Sequence, residues 1–362
     1  TTPPNPPATR PLLRNGRNFT FNWTSTLSPT TTFDLRTGLN RWEEAGGSTL
    51  GAGFDPKQLG FSSDLVAQFP AFQFPNIQIE GYQNMGSNAV SPGTRDTYSI
   101  QPNLNKVVGR HFLKFGGEGR RYNKNVAGGG YPSGIYTFNR NWTQANSTRA
   151  DAVSGNGLAT MLMGIPSAAA VQLNIDPSYR HHYFAGFFQD DWKISNKWTL
   201  NFGLRWDMET ANVERFDRQI TGLDLNAASP IASRVSGLSL KGAVLFSGLN
   251  GESRALMNAP RNQFQPRIGV AHNISNKWVL RGGFGLYYVG EDATGSSNGF
   301  SRQTNAVVST DGLTPLAGMR TANPFVGLPG GRLLAPIGNS LGAASFLGES
   351  VPTFYRTRPL PY

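Results

Sequence analysis

Trp198-Thr-Leu-Asn-Phe-Gly-Leu-Arg-Trp-Asp-Met-Glu209 alternates in character at every step. Trp198, Leu200, Phe202, Leu204, Trp206 and Met208 hold the even positions, while Thr199, Asn201, Gly203, Arg205, Asp207 and Glu209 hold the odd ones. A two-residue period over this length places the two sets on opposite faces of a β-strand. The aromatic-rich run Tyr179-Arg-His-His-Tyr-Phe-Ala-Gly-Phe-Phe-Gln-Asp-Asp-Trp192 precedes it, and Ser195, Asn196 and Lys197 supply the turn. Together they predict a β-hairpin. Tryptophans bound the apolar face: at ~3.3 Å per residue Trp198 and Trp206 stand about 26 Å apart along the strand. A tilt of about 40° reduces this to roughly 20 Å along a barrel axis, close to the apolar band of an outer-membrane barrel. A strand of a soluble sandwich alternates too, but rarely for so long or between two tryptophans.

The same alternation recurs along the chain, predicting hairpins near residues 17–42, 94–122, 178–209 and 262–289. Phe19, Phe21 and Trp23 share one parity of the first, and Trp278, Leu280, Phe284, Leu286 and Tyr288 one parity of the last. Ile194-Ser-Asn-Lys-Trp198 returns as Ile274-Ser-Asn-Lys-Trp278, at the same place in each hairpin. Between hairpins the periodicity disappears over residues 43–93, 210–261 and 290–362. Within residues 123–178, residues 134–139 and 167–174 read as strands joined by a longer periplasmic connection, with residues 157–163 as one or two helical turns; the other reading makes the whole segment one external loop. Loops this long count against a compact soluble domain. They are ordinary on a barrel with short periplasmic turns and long extracellular loops. The expected architecture is an all-β, antiparallel transmembrane β-barrel segment of about eight to ten strands, which need not close on itself.

Composition agrees. The chain has 362 residues, 43 glycines, 24 prolines, 11% aromatic residues and no cysteine, so disulfides and thiolate metal sites are excluded. Mean hydropathy is −0.34, far from that of a helical membrane protein. The opening Thr1-Thr-Pro-Pro-Asn-Pro-Pro lacks the features of a signal peptide, and the final residues close no strand. An internal piece of a longer barrel protein is the expectation. The net charge of +11 points to anionic partners. The basic residues are scattered and no nucleic-acid motif accompanies them, so the charge points either to lipopolysaccharide phosphates or an anionic solute, or to balancing charge on other parts of the protein.

Candidate catalytic groups fail on geometry. His181 and His182 are neighbours on a strand and point to opposite faces, as do Asp190 and Asp191. His111 and His272 stand apart in sequence. The two aspartates are expected near the periplasmic rim, paired with Arg205 or Lys193. No nucleophile elbow or phosphate loop occurs, so neither an enzyme nor a cofactor is expected. Two sets of residues remain. Trp192, Trp198, Trp206, Trp278 and Tyr288 are the candidate membrane-interface aromatics. Lys114, Glu118, Arg120, Arg205 and Arg281 are the candidates for the lumen face, free for an anionic solute or paired with neighbouring carboxylates. Ligand capture is expected among loop aromatics and arginines such as Phe300, Arg302, Phe325, Phe354 and Tyr355.

The central hairpin also resembles that of the TonB-dependent outer-membrane receptors. In that family Gln-Asp-(Asp/Glu)-Trp precedes a short turn and a Leu-x-x-Gly-Leu-Arg-(Tyr/Trp)-Asp strand. Here those positions are Gln189, Asp190, Asp191, Trp192, Leu200, Gly203, Leu204, Arg205, Trp206 and Asp207. His111-Phe-Leu-Lys-Phe-Gly-Gly-Glu-Gly-Arg120 and Phe264-Gln-Pro-Arg-Ile-Gly-Val270 are similar to the Oar-like branch, which carries carboxypeptidase-regulatory-like domains. The resemblance covers roughly residues 94–290. It implies energy-coupled import of a large solute (a siderophore, glycan or peptide) across the bacterial outer membrane, with the TonB complex engaged through upstream sequence. Nothing in this stretch resembles the plug, the TonB box or the regulatory-like domain, without which it is not expected to transport alone. A secreted β-rich binding or adhesion protein and a passive porin are the rival readings.

Overall fold

The computed structural model describes residues 13–46, 51–86, 91–146, 149, 151, 153–256, 258–288 and 299–347. Among these residues fifteen strands form in chain order: β1 (Leu13–Ser28), β2 (Thr31–Gly46), β3 (Asn76–Ile79), β4 (Ser91–Val108), β5 (His111–Val126), β6 (Ile135–Phe138), β7 (Ala168–Asn174), β8 (Ser178–Lys193), β9 (Trp198–Glu209), β10 (Val213–Glu214), β11 (Ile220–Ala228), β12 (Lys241–Phe246), β13 (Gln263–Asn273), β14 (Val279–Gly285) and β15 (Ser301–Asn305). Two short helices, α1 (Ser63–Val66) and α2 (Gly157–Leu162), lie between them. No helix among the described residues is long and apolar enough to cross a membrane.

Eight strands make one wall in the order β1-β2-β4-β5-β8-β9-β13-β14, every pair antiparallel. The short β10 pairs with β8 where β9 has ended, at Arg180 and Tyr179. Among the described residues β1 pairs only with β2 and β14 only with β13, so the wall is open at both edges. This is the all-β, antiparallel wall that the alternation predicts, and it stands unclosed.

Tight turns gather at one end of the wall. Gly109, at φ +59°, takes the left-handed backbone that the turn between β4 and β5 requires. The two Ile-Ser-Asn-Lys-Trp copies fold alike. Ser195 Oγ accepts from the backbone N–H groups of Lys197 and Trp198, both at 3.2 Å, and Ser275 Oγ accepts from Lys277 N–H at 3.2 Å. Because β9 pairs with β13, the copies lie side by side, and Asn273 N–H donates to the Lys197 carbonyl at 2.8 Å.

The opposite end carries the long connections, and these are not structureless. Residues 123–178 contribute no strand to the wall beyond the ends of β5 and β8, which pair directly with each other. The expected wall strands at 134–139 and 167–174 are instead β6 and β7 of a separate four-stranded sheet, β15-β7-β6-β3. The alternative reading, one loop between two wall strands, is the correct one. The physical reason is that β6 and β7 bury one face in a core of the loops' own: Tyr136, Phe138, Ala169 and Val171 pack there with Phe61, Leu65, Val66, Ile77 and Phe325. The aperiodic segments 43–93 and 290–362 thus supply β3, α1 and β15 to this layer, and residues 210–261 supply the hairpin of β11 and β12.

Candidate functional site: the polar face of the wall

Residues paired across a ladder share a face, so register alone sorts the wall into two sides. One row runs Leu104, Phe115, Phe188, Leu204 and Pro266; the next runs Asn103, Gly116, Phe187, Arg205 and Gln265. The first side is apolar and open: Phe19 is 68% exposed, Phe202 38% and Phe284 72%. The second is polar and enclosed, with the Glu118 and Asp207 side chains only 11% and 14% exposed. A dry-core sandwich would have buried Trp198 and Phe202, and both are exposed.

The enclosed face carries a continuous network over five strands. Arg205 lies at its centre: its guanidinium reaches Asp207 at 2.7 Å, Tyr183 Oη at 2.7 Å and Glu118 at 3.3 Å. Glu118 also accepts from Gln101 at 2.7 Å and pairs with Arg120. Gln265 donates to Asp207 at 2.6 Å. Nearer the turns, Asp191 accepts from Lys114 at 3.2 Å, Asn201 at 2.6 Å and Gln189 at 3.1 Å. Half-buried charges tied this way hold one another in register while still presenting polar edges to the interior. Gly116 admits the Phe187 ring beneath this network, since a Cβ there would collide with the ring and with the Asn103 side chain.

Of the candidate lumen-face residues, Lys114, Glu118, Arg120 and Arg205 therefore lie on one face, the last three within one network and Lys114 paired with Asp191 nearer the turns. Arg281, opposite Ala271 at the open edge, shares that face but joins no ion pair among the described residues. The pairing expected for the aspartates is corrected. Asp191 meets Lys114, and Asp190 meets His111 Nδ1 at 2.7 Å. The register explains this: Asp190 faces the apolar side opposite Phe202, whereas Arg205 faces the polar side.

The aromatic candidates divide by strand. Trp192 stacks on His111, ring centroids 5.3 Å apart, and Trp198 on His272 at 3.9 Å. Trp206 donates its indole N–H to the Arg261 carbonyl at 2.8 Å. Trp278 is 72% exposed beside the second turn. Tyr288 lies beyond the end of β14 rather than within it. Among the loop candidates, Phe300 and Phe325 are buried and cannot meet a ligand. Phe325 belongs to the core of the loop layer, and Phe300 is covered by the Arg218 guanidinium at 5.1 Å. Phe354 and Tyr355 lie outside the described residues, and Arg302 sits half-buried on β15. His181 lies 3.1 Å from Glu209, and among the described residues no three metal-ligating side chains gather.

A buried group that sequence reasoning missed is Glu214, fully enclosed on β10. Its carboxylate accepts from Arg218 at 2.7 Å and from the backbone N–H groups of Phe216 and Arg218. Burial pushes its pKa upward, but Arg218 and the two N–H donors outweigh burial and hold it below the ordinary glutamate value. Arg218 in turn donates to the Asp176 carbonyl at 3.0 Å and lies over the Phe300 ring at 5.1 Å, joining three long connections. Only the Glu-x-x-x-Arg spacing hinted at it.

An antiparallel wall with an exposed apolar side, an enclosed polar side, tight turns at one end and long loops at the other is a transmembrane β-barrel wall. The chain belongs to the outer membrane beta-barrel domain family, whose model matches residues 2–362, and its place is the bacterial outer membrane. No curated protein matches the sequence. Solved structures with a similar course include the copper transporter OprC (TM-score 0.39, 11% identity, 78% of this chain and 31% of that one). The ferric citrate transporter FecA (0.35, 9%, 76% and 27%) and the siderophore receptor PiuA from Acinetobacter baumannii (0.36, 12%, 81% and 37%) are similar in the same way. The chain spans about a third of the length of these proteins.

Proposed function

We propose that this chain is part of the barrel wall of a TonB-dependent receptor, of the Oar-like branch, that takes up a large solute across the outer membrane at the expense of energy supplied through the TonB complex. The observation that carries the reading is the enclosed polar face of an unclosed eight-strand wall. Eight strands close around an interior that their own side chains fill. A wall already eight strands wide whose edges are unpaired among the described residues fits a larger circumference, and a larger circumference encloses a polar lumen. The central hairpin motif, Gln189 to Asp207, adds the family resemblance. On this reading a plug and a TonB box come from sequence beyond this stretch, and the wall alone does not transport. Lys114, Glu118, Arg120, Arg205 and Arg281 line the lumen, and Trp192, Trp198, Trp206, Trp278 and Tyr288 mark the membrane interfaces.

The test is uptake by cells expressing the complete gene, assayed with labelled iron–siderophore, oligosaccharide and peptide panels, with and without a protonophore. Accumulation that the protonophore abolishes supports the proposal. Entry that the protonophore leaves unchanged identifies a passive porin, and no entry of any panel member overturns the transport reading.

A further inference from the structure

We propose that His181 is a proton-dependent clasp on the long connection 210–261, closed while its imidazole is protonated and open when the ring is neutral. The ladder along β8 breaks at this residue. Glu209 pairs with Tyr183 and Val213 with Arg180, so Thr210, Ala211 and Asn212 stand opposite only His181 and His182. One extra residue on one side, as in a β-bulge, bends the strand and takes it out of the ladder. The His181 side chain spans the break on the polar face. Its Nε2 lies 3.1 Å from the Glu209 carboxylate and its Nδ1 2.9 Å from Asn212 Oδ1. It thus joins the last residue of β9 to the last residue of the break.

Both atoms that meet the ring nitrogens are acceptors. A neutral imidazole has one N–H and one bare nitrogen; only the imidazolium donates from both. Loss of the proton sets a bare nitrogen against an oxygen, and one of the two contacts goes. The site is enclosed, with the His181 side chain 17% exposed and Asn212 8%, and a polar group left unpaired away from water is costly. The Tyr122 ring, stacked on the imidazole at 4.5 Å, fixes its plane. Among the described residues Glu209 is the one carboxylate at the ring. Arg120 and Lys124 share the face of Tyr122 on β5, and Arg120 is held by Glu118 and Tyr122. Along the loop, Glu214 is held by Arg218 and Arg254 by Asp217. Asn212 lies at the neck of the connection: its carbonyl accepts from the N–H of buried Leu256, on the returning arm, at 3.3 Å. Through Asn212 the clasp therefore ties both arms to the wall. Histidine changes charge between about pH 5 and 8. The neck is closed in acid, and as pH rises and the proton leaves, both arms and the hairpin of β11 and β12 beyond them gain freedom. The clasp does not depend on transport.

Amide exchange over residues 208–213 and 254–256 of the full chain in dodecyl-maltoside micelles tests this, followed by mass spectrometry from about pH 5.5 to about 8.5 and corrected for intrinsic rates. About tenfold faster corrected exchange is expected at the alkaline end. It should rise in step with loss of the doubly protonated His181 signal, read by nitrogen-15 NMR of histidine-labelled protein. His181→Gln should exchange at one rate throughout, whereas His182→Asn, altered on the opposite face, should keep the rise. No rise in the unaltered protein would overturn the proposal whether or not the variants fold, because it would mean that the Asn212 carboxamide turns over to serve the neutral ring. A rise that persists in His181→Gln would overturn it too, by assigning the pH dependence to another group.

Discussion

Arg205 on β9 reaches Glu118 on β5 at 3.3 Å, passing over the whole width of β8. Strands two apart in a sheet are separated by about 9.6 Å, so only a long, forked side chain can hold a carboxylate on each side. Arg205 does so with Glu118 and Asp207. Arg205→Ala leaves both carboxylates short of a partner on an enclosed face, a loss of about 1–3 kcal/mol. A lowered urea midpoint in detergent is the expected reading. Arg205→Lys should recover less than half of it, because an ammonium cannot present the fork. In a cycle with Glu118→Gln the two losses should be less than additive; strict additivity would mean that the pair is not coupled.

The two faces of β9 should respond oppositely to charge. Leu204→Arg puts a guanidinium on the apolar side and should cost about 2–4 kcal/mol near the middle of the bilayer. Thr199→Arg, on the polar side, should change stability little. Unfolding from lipid vesicles by urea measures both, and equal losses would contradict the assignment of faces.

Glu214 gives the loop end a pH dependence. Its folded pKa lies below the usual glutamate value, so its stabilising contribution is present above that value, about 4.3, and is lost as pH falls through the folded pKa. Protonation removes the charge that Arg218 and two backbone N–H groups hold. Amide exchange over residues 213–218 should therefore quicken as pH falls below the ordinary glutamate range and through the lowered Glu214 pKa, after correction for intrinsic rates. Glu214→Gln should exchange quickly at every pH.

The loop layer should be separable from the wall. Phe325 is fully buried among residues from three connections, and Phe325→Ala should cost that core about 3–5 kcal/mol. Limited proteolysis should then cut within residues 51–86 or 299–347, while the heat-dependent shift in gel mobility stays as in the parent protein. A simultaneous loss of that shift would show that the layer and the wall fold as one unit.

The wall was readable in advance because each strand carries its own two-residue period, a local signal that needs no partner. Trp198 to Met208 already separates the faces. The loop layer was not readable, because its core draws single residues from distant segments. Leu65, Tyr136 and Phe325 meet with no shared period to announce it. The same limit applies to the polar network. Sequence alternation places Arg205 and Glu118 on polar faces, but which carboxylate meets which guanidinium depends on register across three strands. Likewise the place of Asp190 on the apolar side opposite Phe202, out of reach of Arg205, follows only from the β8–β9 ladder.

The twin serine-capped turns, lying side by side, make each hairpin a self-contained module with its own reversal and its own inside and outside. Adding or deleting one such module changes the girth of the barrel by two strands and leaves every side chain on the face it already occupied. A lineage built this way can change its girth without redesigning the wall.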